Sequence, residues 1–363
     1  MMTTTQSTSG YPAVIATSID NSTWAGTQGT PTVLNAAAGL AGNSCQLSSG
    51  FALTTWTQAG VGYCAVISNG GSGTTLTKNT AVVFNSVAYT TLVNCVALSP
   101  TLVLITYTTN ADNFHRVVAV SISGTTCTVG TAVQLNSVAS GSAASVISAL
   151  SATTAVIAYG PANQNIVIAT VSGTTISLGT GYTPQSSPAT VYNITGFSLV
   201  GSGTFLMTYT TATLYASFPT GGHGSTRVRT MTFTGTTIGE GDSDIVLVSA
   251  TGLTIGPAPI WPVGNGQYVY AANYAIEYSG SIDVNLSWAV SAFVMTYSAG
   301  TLTLAANNTI GFQTVPVTGS ADNNWQWHSL IPLSGTEFVW HSGYTGGAFS
   351  PTYKIAWRPF TLS

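Results

Sequence analysis

The stretch that decides the fold is LSPTLVLITY at 98–107, a short turn followed by an apolar strand that ends in an aromatic residue. The same order recurs as LSSGFALTTW at 47–56, LSATTAVIAY at 150–159, VGSGTFLMTY at 200–209, VGNGQYVY at 263–270 and LSGTEFVW at 333–340. The closing aromatics are Trp56, Tyr107, Tyr159, Tyr209, Tyr270 and Trp340, at intervals of 51, 52, 50, 61 and 70 residues. Apolar runs rich in Val, Ile and Thr, broken by Ser- and Gly-bearing turns, read as β-hairpins.

A second hairpin lies between these copies: SGTTLT at 72–77, SGTTCT at 123–128, SGTTIS at 172–177, TGTTIG at 234–239 and SAGTLT at 298–303. A degenerate copy, NSTWAGTQGTPTVLN, occupies 21–35. Two hairpins per unit make four strands in about 50 residues, the period of a β-propeller blade. The expected fold is therefore all-β, a propeller of about six four-stranded blades, with seven as the alternative. The chain opens on a second hairpin and ends on a first one. Strands near 30–35 are thus expected to complete the C-terminal blade and remove the exposed sheet edge. Residues 1–10 read as an extended arm and 11–363 as a single propeller domain. Because the aromatics recur in every unit, Tyr107, Tyr159 and Tyr209 are expected in the core rather than at a ligand.

Composition agrees with strands and turns. Charged residues make up 4%, against roughly 25% in an average soluble domain. Polarity comes from Ser, Thr, Asn and Gln, with 39 glycines. Six basic residues form no stripe that could neutralise phosphates, so nucleic acid is not an expected partner. MMTTTQSTSG at 1–10 has neither a basic start nor an apolar stretch, so no signal peptide is expected, and no apolar run suggests a membrane span. The four cysteines, Cys45, Cys64, Cys95 and Cys127, form no CxxC pair. Buried strand thiols are expected and zinc is not, while a disulfide stays open.

No nucleophile, acid or base constellation can be named, so catalytic residues, cofactors and a metal are all expected to be absent. The segments 216–230 and 273–290 lengthen two units and carry Arg227, Arg229, Glu277 and Asp283. Long loops on a rigid repeat are where binding residues gather, which nominates His223 and Arg227. Trp325, Trp327 and Tyr344, interleaved with amide side chains, suit sugar rings or a protein interface. Glu240, Asp242 and Asp244 in GEGDSDI are the one weak calcium candidate.

The order strand, LSxT turn, strand, SGTTxTxGT resembles the repeats of phage and environmental-virus virion proteins of the fibre, host-attachment or decoration type, over roughly residues 45–310. That resemblance implies a non-enzymatic virion structural protein of the particle surface or tail. It also implies other virion proteins as partners, a host surface glycan as target, and a homo-oligomer or larger assembly. No functional residue carries over from it. The alternative is a free carbohydrate-binding propeller lectin.

Overall fold

In the computed structural model the chain is described at residues 2–8, 11–19, 26–28, 32–35, 39–69, 75–87, 90–109, 111–136, 145–160, 164–184, 193–211, 225–248, 252–254, 260–276, 286–317, 324–332, 337–345 and 359–361. The described residues contain strands and turns, with no helix long and apolar enough to cross a membrane. They divide into two compact units, Met1–Thr183 and Pro184–Ser363.

The first unit holds four antiparallel sheets in chain order. The first contains β1 (Met2–Thr8), β2 (Tyr11–Ile19), β3 (Gly26–Gln28) and β4 (Thr32–Val33). The second runs β5 (Gly39–Ser48), β6 (Phe51–Gln58), β7 (Val61–Asn69) and β8 (Leu76–Lys78), with β9 (Val82–Asn85) paired to β7. The third repeats this as β10 (Thr90–Ser99), β11 (Leu102–Thr109), β12 (Phe114–Ser123) and β13 (Thr126–Val129), with β14 (Val133–Gln134) on β12. The fourth is β15 (Val146–Ala149), β16 (Thr154–Tyr159), β17 (Asn165–Ser172) and β18 (Thr175–Leu178).

The second unit holds three sheets. They are β19 (Asn193–Gly201), β20 (Thr204–Thr210), β21 (Thr226–Thr234) and β22 (Thr237–Val248); then β23 (Gly252–Thr254), β24 (Ile260–Gly264), β25 (Gln267–Ile276), β26 (Leu286–Ser298) and β27 (Thr301–Val317); then β28 (Asn324–Pro332), β29 (Glu337–Thr345) and β30 (Pro359–Thr361).

The two-hairpin repeat is present, but its ends differ from the expectation. Seven sheets appear among the described residues, the number given as the alternative to six, and the two chain ends lie in separate sheets. β4 pairs with β2, Val33 opposite Ala13, instead of joining the C-terminal strands. Within the segment read as an extended arm, Met2–Thr8 pairs along its whole length with β2, Met2 opposite Thr17 and Thr8 opposite Tyr11. Only Ser9 and Gly10 connect the two strands, so this pairing closes a very short loop. Pairing with the far end of the chain would have to close a much longer one.

β11 shows why these strands read as continuous apolar runs. Val103, Ile105 and Tyr107 pack with Leu53, Val66 and Phe84 of the second sheet. Leu104, between them, packs with Ala155 and Ile157 of the fourth. A strand buried on both faces has no reason to alternate polar with apolar residues. Each fully buried aliphatic side chain adds about 1.5–3 kcal/mol. Tyr107 and Tyr209 are buried and Tyr159 is half-buried. In the second unit, Leu206, Val228, Tyr268, Tyr270 and Met295 form the corresponding core between the fifth and sixth sheets.

The turns fit their residues. Asn265 and Gly266 sit at φ 51 and 71, the paired positive φ of a two-residue hairpin turn, where Asn and Gly are the favoured residues.

Polar side chains link successive sheets at repeat-equivalent places. Asn43 Nδ2 donates to Asn94 Oδ1 at 2.5 Å, and Asn94 Nδ2 donates to the Ser145 carbonyl at 3.2 Å. Ser145 Oγ hydrogen-bonds Nδ1 of the buried His115 at 2.8 Å. Asn94→Ala breaks both inter-sheet links and leaves the Cys95 amide without the Asn94 Oδ1 acceptor it uses at 2.8 Å. Its expected cost is about 1–3 kcal/mol, measured as a lowered Tm.

Candidate functional site

Four of the few charged residues meet on one face of the fifth sheet. Alternation along β21 puts Arg227 and Arg229 on the same side, with Val228 on the opposite side in the core shared with the sixth sheet. The register sets Tyr209 of β20 opposite Arg227, and Asp244 of β22 opposite Arg229. A bulge then places three residues, Gly241 to Ser243, against the single Thr230, so Glu240 falls opposite Met231. The bulge is held by Thr230 Oγ1, which accepts from the Ser243 amide at 3.0 Å. It also needs its glycine: a Cβ at Gly241 would stand 2.4 Å from Thr230 Oγ1 and 2.7 Å from the Thr230 carbonyl oxygen.

Asp244 is the hub. Its Oδ2 accepts from Tyr209 OH at 2.6 Å, Arg229 Nη2 at 2.7 Å and Arg229 Nε at 3.0 Å. Its Oδ1 accepts from Arg227 Nε at 2.9 Å. Arg229 Nη1 donates to Glu240 Oε2 at 2.8 Å, and the guanidinium lies 5.2 Å from the Tyr209 ring centre. Arg229 is 1% exposed. Burial, then the Asp244 hydrogen bond and charge, push the Tyr209 phenol up to about 12 against the opposing arginines. Two cations and two anions leave the cluster neutral.

This arrangement turns the weak calcium candidate to another use. Glu240 and Asp244 point their oxygens at guanidinium groups, and Asp242 is exposed in the bulge without joining them. No group of three or more His, Cys, Asp or Glu among the described residues could hold a metal ion. A second ion pair, Arg116 to Asp112 at 2.5 Å, ties β12 to the turn before it and holds the Asp112 carboxyl well below the usual carboxylate range.

Of the other nominated residues, His223 lies outside the described residues, as do the loop portions 216–224 and 277–285. Trp325 and Tyr344 are directly opposite in the β28–β29 ladder, and Trp327 is opposite Gly343 across a bulge. The three thus share one stretch of backbone hairpin. Tyr209, expected in the core, is buried there and also reaches Asp244, while Arg229 was named in the sequence only as a charge of the long segment. The signal for Arg229 was present in the alternation of RVR at 227–229.

Arg227 differs from Arg229 in one respect. Its Nε is fixed by Asp244, while Nη1 and Nη2 make no hydrogen bond among the described residues. The side chain retains 13% exposure. A rigid strand therefore presents two parallel donors whose plane is set from behind.

No family model and no curated protein matches the chain. Solved structures do resemble it. A protein from Lactobacillus plantarum aligns at 13% identity with a TM-score of 0.51, covering 96% of this chain and 91% of that one. A lectin of Aleuria aurantia, in complex with Fucalpha1-6GlcNAc, aligns at 12% identity and TM-score 0.42, covering 86% and 90%. The β-propeller domain of a protease from Pyrococcus furiosus aligns at 6% identity and TM-score 0.35, covering 90% and 95%. At these identities the likeness concerns the fold alone: the chain is an all-β protein of successive antiparallel sheets similar to those of known proteins.

Proposed function

We propose that this chain is a non-enzymatic binding protein of propeller type that recognises carbohydrate, with Arg227 donating to neighbouring hydroxyls. The observation that carries this reading is the uncommitted Nη1/Nη2 fork of Arg227, oriented by Asp244. The cluster is electrically neutral, which favours a neutral, hydroxyl-rich ligand over phosphate or carboxylate. The arginines and carboxylates of the site are bonded to one another, a state suited to positioning donors and poorly suited to moving protons.

The test is a glycan array followed by calorimetric titration of the best ligand. Arg227→Ala is expected to weaken binding roughly tenfold to a hundredfold. Arg227→Lys is expected to weaken it as well, because an ammonium cannot reproduce the fork. Unchanged affinity in both variants, no glycan bound at all, or turnover of a bound glycan would each overturn the reading.

A further inference from the structure

All four cysteines of the chain meet in one layer between the second and third sheets. Cys45 is on β5 and Cys64 on β7, while Cys95 is on β10 and Cys127 on β13. β5 packs against β10, and β7 against β13. The Asn43–Asn94 hydrogen bond bridges β5 and β10 beside the first pair. The strands therefore set Cys45 beside Cys95 and Cys64 beside Cys127, and each thiol perturbs its neighbour's ionisation. All four are free. The set is not arranged for a metal ion. Its organisation is two by two.

We propose that these are two ready-made cross-links, Cys45–Cys95 and Cys64–Cys127, which a disulfide oxidant such as oxidised glutathione closes to staple the second sheet to the third. Cysteines on facing strands of one packed layer are placed where a cross-link needs no rearrangement of the sheets. Cys45 is partly exposed and meets the oxidant first. Its thiolate attacks one glutathione sulfur, forming a mixed disulfide and expelling one glutathione thiolate. Cys95 loses its proton and attacks the Cys45 sulfur, which expels the second glutathione. Two electrons pass from the cysteine pair to the oxidant, and both thiol protons end on glutathione or in solvent.

Cys64 and Cys127 follow by the same steps after a local opening of the buried layer. Within this pair Cys64 is fully buried and Cys127 keeps 6% exposure, so Cys127 is the sulfur the oxidant reaches first. The loops closed span 50 and 63 residues in sequence.

The test uses the full-length protein, incubated natively with oxidised glutathione, then denatured and alkylated. The expected result is a mass lower by four hydrogens, no alkylated cysteine and a Tm higher by on the order of 5–10 °C. Trypsin cuts after Lys78 and Arg116, and chymotrypsin after Trp56 separates Cys45 from Cys64. Mapping is expected to link 45 with 95 and 64 with 127. Four alkylated thiols, persistent glutathione adducts or any other pairing overturns the proposal. The variant Cys45→Ala/Cys95→Ala is expected to form the single bond Cys64–Cys127, and its failure to do so also overturns the proposal.

Discussion

Raising the pH from about 10 to about 12 is expected to unfold the protein, because three buried phenols cannot ionise in place. Burial pushes Tyr107, Tyr209 and Tyr270 up from 10.0 to about 12. For Tyr107 the charge of Arg116 opposes burial, and the Tyr270 hydroxyl is buried with no hydrogen-bond partner among the described residues. In the unfolded chain each phenol ionises near its ordinary value. Above pH 10 the unfolded state therefore binds fewer protons than the folded one. The contribution of these groups is intact below pH 10 and is lost progressively up to about 12. Two pH units correspond to about 3 kcal/mol for each tyrosine, a sum comparable with the whole stability of an ordinary domain. Phenolate absorbance and circular dichroism are expected to change together in that window. Tyr107→Phe is expected to move the midpoint upward. Ordinary titration of all the phenols near pH 10 with the sheets intact would refute this account.

The second large effect is expected from Asp244→Ala. Removing the hub leaves Arg229, 1% exposed, with Glu240 as a charged partner, releases Arg227, and takes away the acceptor of the Tyr209 hydroxyl proton. Breaking a buried pair from one side costs about 3–5 kcal/mol, since the remaining charge stays desolvated. Thermal unfolding is expected to show a Tm lower by on the order of 10 °C. Tyr209→Phe removes one hydrogen bond from the same carboxylate and is expected to cost about 1 kcal/mol. If the two variants unfold alike, Asp244 is not the hub.

The internal sheets were legible in the sequence because their strands carry two independent signals. The LSxT-type turn fixes where a hairpin folds, and the unbroken apolar run of β11 reports burial on both faces. The first sheet carries neither signal. β1 is MTTTQST, a polar strand whose only strand marker is its threonines, and its partner follows no LSxT turn. Counting aromatic-ended strands therefore reached six, and the Thr-rich opening read as an arm. The site divides the same way. Arg227 stood out as a rare charge on a long segment, whereas the Tyr209–Asp244 contact spans 35 residues and depends on ladder register. The Glu240–Arg229 pair depends in addition on the two-residue excess of the Gly241–Ser243 bulge. Local pattern does not encode either.

The Asn43, Asn94 and Ser145 link has an evolutionary consequence. Each donor or acceptor sits at the same place in its own unit, 51 residues from the next, and reaches across to its successor. A unit copied within the gene would carry its own connector together with one face shaped for the sheet before it and one for the sheet after. Lineages can therefore lengthen or shorten such a chain by whole units while preserving the junctions these links span. Divergence is then free to concentrate in the segments between strands.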